Sequence, residues 1–139
     1  MANTLLKCEG VQQERVRMFK LDLADFDNDD AITVDLDMPV GAVITGGFLA
    51  VINNSDSAGT DTLAVGDSGS ATRYLGASSI KAAAGTKYDL VPTGYEIDGS
   101  ETAALRITRA EQTGTPAAVA EVCVVIKYAI YGVSTSTQG

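Results

Sequence analysis

Ile32-Thr33-Val34-Asp35-Leu36-Asp37-Met38 sets an apolar side chain at every second position, with a threonine and two aspartates between them. A period of two marks a half-buried strand, one face turned to a core and the other to water. The pattern extends to either side. Phe19, Leu21 and Leu23 interleave with Lys20 and Asp22, and after the turn Met38-Pro39-Val40-Gly41 the segment 42–52 is apolar on both faces. That segment predicts a central strand, bent where Gly46 and Gly47 leave no side chain.

Downstream, Asn53-Asn54-Ser55-Asp56-Ser57-Ala58-Gly59 is a dense turn cluster, followed by a short strand at 61–65 and the turn Gly66-Asp67-Ser68-Gly69. The stretch 74–84 fits neither period, and Ala82-Ala83-Ala84 favours coil or a single helical turn. Strands return at 88–91, 103–108 and 120–131. Seven or eight short strands between Gly, Asp, Ser and Thr loops, with no amphipathic stretch long enough for a helix, predict an all-β sandwich or barrel with little helix. The expected core includes Ile32, Val34, Leu36, Leu49, Val51, Leu105, Ile107, Val124 and Ile126. With 139 residues, 45% apolar and 20% charged, the chain can bury one real core. It divides into an extended arm at 1–14, a single domain at 15–133 and a small polar tail at 134–139.

Net charge is −8, and its placement is uneven. Residues 1–20 sum to +2, residues 21–72 hold ten acids and no base, and the rest is neutral. Phosphate-backbone binding needs clustered Lys and Arg, so nucleic acid is excluded as the expected partner. A basic protein surface or a cation is the natural complement of the acidic block. The apolar run 119–130 is interrupted by Glu121 and Lys127 and is too short to span a membrane. The opening MANTLLKCEG has no basic stretch, long apolar run or cleavage site, which predicts folding in a cytosol. In that compartment Cys8 and Cys123 are expected to be plain thiols.

No histidine occurs, which removes the commonest general base and zinc ligand. Asp25, Asp27, Asp29 and Asp30 place carboxylates as a calcium loop would, but the sixth position is Asp30 where Gly belongs and the twelfth is Leu36 where Glu belongs. These four are candidate metal ligands whose bland reading, a solvated acidic loop, is the expectation. Ser78-Ser79-Ile80-Lys81 matches the S-x-x-K acyltransferase pattern without its S-D-N and K-T-G companions. No phosphate-binding glycine motif occurs. The chain is therefore expected not to be an enzyme and to need no cofactor.

The closing strand carries more apolar surface than one core needs. Its faces read Val122, Val124, Ile126, Tyr128, Ile130 and Cys123, Val125, Lys127, Ala129, Tyr131. The second face, interrupted only by Lys127, predicts a partner subunit or a covering segment there, with Val125 and Tyr131 at the contact.

The phrases Gly47-Phe48-Leu49-Ala50-Val51-Ile52-Asn53-Asn54, Asp61-Thr62-Leu63-Ala64-Val65-Gly66-Asp67, Lys87-Tyr88-Asp89-Leu90-Val91-Pro92-Thr93-Gly94-Tyr95 and Val124-Val125-Ile126-Lys127-Tyr128-Ala129-Ile130-Tyr131-Gly132 resemble small structural proteins of tailed-bacteriophage heads. They are similar in particular to jelly-roll cement, or decoration, proteins on the outside of the shell. The resemblance runs from about Val16 onward and contains no catalytic residue. It implies an eight-stranded jelly-roll, a homotrimer at local three-fold positions, and binding across neighbouring major capsid protein subunits on the outer virion surface. The arm at 1–14, with Arg15 and Arg17 beside it, is then the candidate for lying on an acidic neighbour. An alternative keeps the fold and changes the job to a calcium- or sugar-dependent adhesion module of a phage tail or fibre.

Overall fold

A computed structural model describes residues 14–22, 32–100, 104–111 and 117–130. Its strands, in chain order, are β1 (Arg15–Asp22), β2 (Ile32–Leu36), β3 (Ala42–Asn53), β4 (Asp61–Gly66), β5 (Leu75–Ser79), β6 (Lys87–Asp89), β7 (Leu105–Glu111) and β8 (Glu121–Ile130). They form two four-stranded antiparallel sheets, ordered β1-β8-β3-β6 and β2-β7-β4-β5. The pairs β1–β8, β2–β7, β3–β6 and β4–β5 nest as the two arms of one long hairpin would. Curling that hairpin brings β3 against β8 and β4 against β7. This is the order of a jelly-roll sandwich.

The core lies between the sheets and follows from alternation. On β8, Val122, Val124, Ile126 and Tyr128 are buried, with Leu49 and Val51 of β3 beside them in the same sheet; Leu63 and Val65 of β4 and Leu105 and Ile107 of β7 are buried in the opposite sheet. Six of the nine expected core residues are fully buried, while Val34 and Leu36 are only half-buried against the cluster. The reason is position: β2 is the edge of its sheet, so water reaches its inner face from the side. The side chain of Ile32 lies outside the described residues.

β3 is the central strand its sequence predicts, paired with β8 on one side and β6 on the other. Its register against β8 shifts between Ile44 and Gly46, where the bend was expected. Gly47 has φ of 126°, and a Cβ there would collide with the Val125 carbonyl oxygen. Only glycine allows β3 and β8 to approach this closely. The stretch 74–84 departs from expectation, because Leu75–Ser79 is a strand and no helical turn occupies it. As an edge strand rich in small residues, β5 has little apolar surface to alternate, so its period is invisible in the sequence.

Candidate functional site

Asp61, the first residue of β4, shares the inner face with Leu63 and Val65, and Arg109 shares that of β7 with Leu105 and Ile107. The two meet at one end of the sandwich, both essentially inaccessible. Arg109 donates from Nε to Asp61 Oδ1 at 2.8 Å and from Nη2 to Oδ2 at 2.5 Å, and Ser55 Oγ donates to the same Oδ2 at 2.5 Å. Nη2 also reaches Glu111 Oε2 at 2.9 Å, whose other oxygen accepts the Ala117 N–H at 2.7 Å. The hydrogen bond to Asp61, with the Asp61 and Glu111 charges, holds the guanidinium pKa above its ordinary value. The void beside Arg109 is about 10 Å³, room for one water at most and none for a substrate. This cluster ties β4, β7 and the 53–60 loop together.

Two further carboxylates serve loops. Asp56 accepts the backbone N–H groups of Ala118 and Val119 at 2.7 and 3.0 Å, which hold its pKa below the usual carboxylate range. Asp67, buried, accepts the N–H groups of Gly69 and Ser70 and pairs with Arg73, whose guanidinium lies 3.7 Å above the Tyr95 ring. The pairing with Asp67 raises the Arg73 pKa.

None of these groups forms a nucleophile with its base. Ser78 donates to the Gly76 carbonyl and Lys81 to the Gly59 carbonyl, so the S-x-x-K pair does not interact. An open cleft of about 490 Å³ is lined by Lys20, Asp22, Asn53, Glu121 and residues 118–120. Within it, Lys20 and Asn53 both hold Glu121, at 2.5 and 2.8 Å. Among the described residues no group of three or more Asp, Glu, Cys or His side chains could hold a metal. Asp25, Asp27, Asp29 and Asp30 lie outside the described residues, as do Tyr131, Cys8 and the arm up to residue 13. Cys123 carries a free, half-buried thiol.

What distinguishes the molecule is the contrast between its two outer faces. Outside β2-β7-β4, the register brings Thr33 beside Thr108 and Asp35 beside Arg106, with Thr62 beside Ala110. Arg106 grips Asp35 with two hydrogen bonds of 2.6 and 3.0 Å, lowering the carboxyl pKa. Outside β1-β8-β3-β6, the row Met18–Val125–Phe48 crosses three strands, flanked by Val16 on one side and by Cys123 and Ala50 on the other. Met18 is 70% exposed and Val16 60%. Lysines border this strip: Lys127 beside Val16, Lys20 beside Cys123, and Lys87 with its ammonium 4.9 Å from the Phe48 ring centre.

Val125 thus stands in the middle of the apolar face, half-buried among its own neighbours. Arg15 and Arg17 alternate with Val16 and Met18 and so belong to the opposite side of β1, at the edge of the sheet. Both are exposed, and Arg17 donates from Nη1 to the Asp37 carbonyl at 2.5 Å, across the seam between the sheets. Sequence reasoning missed Arg109 and Asp61; extending the expected strand 103–108 by one residue would have put Arg109 on the face of Leu105 and Ile107.

No protein-family model matches the chain, and no curated protein matches it. Solved structures do. A chain of the Ralstonia phage GP4 capsid matches at TM-score 0.50 and 18% identity, covering 83% of this chain and 84% of that one. A chain of the acid-stable capsid of Helicobacter pylori bacteriophage KHP30 matches at TM-score 0.53 and 16% identity, covering 86% and 93%. At these identities the likeness is one of fold. A chain of the cyanophage Pam1 capsid asymmetric unit matches at TM-score 0.66 and 31% identity over 86% of both chains. That degree of identity over nearly the whole sandwich means that this chain belongs to the family of phage capsid proteins represented in the Pam1 shell, and it is a structural protein of a virion.

Proposed function

We propose that this chain decorates the outside of a tailed-phage shell, binding as a homotrimer across neighbouring major capsid protein subunits and strengthening their junctions. The reading treats residues 15–133 as one sandwich domain carrying an extended arm at 1–14 and a polar tail at 134–139. It assigns no enzymatic role and no cofactor. The observation that carries it, given kinship with a capsid chain, is the one-sided outer surface: Met18, Val125 and Phe48 form an apolar row on one sheet, while the other sheet is polar and ion-paired. Exposed apolar side chains gathered on one face mark a contact surface; Val16 and Met18 are exposed beside the half-buried Val125, the proposed central contact, and Arg15 and Arg17 lie on the other side of β1 at the sheet edge.

The test is reconstitution. Purified protein added to particles stripped of it should bind saturably, be seen on the outer surface by electron microscopy, and raise the temperature at which particles rupture. Protein that stays in the supernatant, or that is found in tails and absent from heads, overturns the proposal.

A further inference from the structure

Within the decoration reading, on which this inference rests, the edge strand β1 offers a second kind of contact. β1 is eight residues long and, among the described residues, pairs with β8 alone. In an antiparallel pair every second residue directs its N–H and C=O away from the partner, so, among the described residues, the free side of β1 presents a row of unused backbone groups. Such edges are usually shortened or covered. The other edges here are shorter: β2 and β5 have five residues each and β6 three, and Tyr88 Oη of β6 donates to the Ser79 carbonyl of β5, closing that side of the sandwich.

The side chains along β1 sort by face. Val16 and Met18 lie on the apolar outer face, whereas Arg15 and Arg17 lie on the other side. Among the described residues Arg15 has no ion pair, and Arg17 is committed only to a backbone carbonyl. We propose that the free edge of β1 accepts an extended segment of the shell protein as an added strand, one whose residues alternate between apolar side chains lying beside Val16 and Met18 and carboxylates facing Arg15 and Arg17. Main-chain hydrogen bonds would supply affinity and the alternation would supply register. A second copy presenting the same edge in the register centred on Arg17 is disfavoured by charge, because that pairing sets the two Arg17 side chains against each other.

Hydrogen exchange of the full-length protein, free and bound to stripped particles, reads this directly. On binding, amides of β1 should gain protection in alternate positions while those of β5 stay unchanged. The double substitution Arg15→Glu/Arg17→Glu should weaken particle binding at least about tenfold, since it puts like charges against the incoming carboxylates. Thr62→Glu, on the outer face of the other sheet, should bind as the wild type does. Tight binding without new protection in β1 overturns the added strand and leaves decoration standing. Absence of any particle binding by the wild type overturns both. Protection of β1 already present in the dilute free protein would assign the edge to this chain's own arm, and protection that appears only as concentration rises would assign it to a second copy; either overturns the inference.

Discussion

Arg109 and Asp61 form a two-point ion pair buried at the end of the sandwich, made by the first residue of β4 and an inner-face residue of β7. The pair is also the anchor for Ser55 and, through Glu111, for Ala117. Removing one partner strands the other charge in the interior. Asp61→Ala is therefore expected to destabilise the fold by about 3 to 5 kcal/mol, read as the drop in unfolding free energy in urea. A loss under about 1 kcal/mol would mean that water reaches the cluster freely.

Leu105 is fully buried where β7 meets the opposite sheet. Leu105→Ala should cost about 2 to 5 kcal/mol by the same measurement. A neutral result would put β7 outside the core.

Acid should weaken the fold in a defined window. Asp56, Asp35 and Asp98 are each held below the usual carboxylate range, by the backbone N–H groups of Val119 and Ala118, by Arg106, and by Ser100 respectively. A carboxyl whose folded pKa is depressed contributes stability that is present above its unfolded value, about 3.9, and is lost as pH falls through the folded one. Melting temperature is thus expected to hold between about pH 7 and 5 and to fall below about pH 4. In Asp56→Asn the acid-induced fall should be shallower. A melting temperature that rises on acidification would contradict these assignments.

Val125→Asp places a charge at the middle of the apolar row, opposite Met18 and Phe48. Light-scattering mass should show an oligomer for the wild type and a monomer for the variant, while circular dichroism stays β-type in both. Wild-type protein that is monomeric at tens of micromolar concentration and still binds particles at full strength would refute the self-contact.

Thermal melting with and without a chelator tests the acidic loop. Asp25, Asp27, Asp29 and Asp30 are expected to be solvated, so chelation should leave the melting temperature unchanged. A large drop would favour a bound cation and the adhesion reading.

The strands that could be read from sequence are those whose apolar residues either alternate or, as in β3, run together between turn signals. β8 and β7 announce themselves because Val122, Val124, Leu105 and Ile107 recur at every second position. β5 does not, since Gly76, Ala77 and Ser79 are exposed at an edge and carry no contrast between faces. The surface was half legible. Alternation assigns Val125 to the outer face, but only the pairing of β8 with β1 and β3 shows that Met18 and Phe48 complete its row. The Asp61–Arg109 pair spans 48 positions, and no local pattern joins residues so far apart.

The nesting of the strand pairs sets the order in which the chain can fold as it is synthesised. Among the described strands only β4 and β5 meet soon after emerging; β3 waits for β6, β2 for β7, and β1 for β8. Closing such distant pairs is slow, and the earliest strands spend that time unpaired, when aggregation is most dangerous. The block 21–72, with ten acids and no base, covers β2, β3 and β4. Like charge opposes association between chains, so this block, which ends up partly buried through Asp61 and Asp67, is expected to oppose contact between neighbouring nascent chains while its strands wait for their partners.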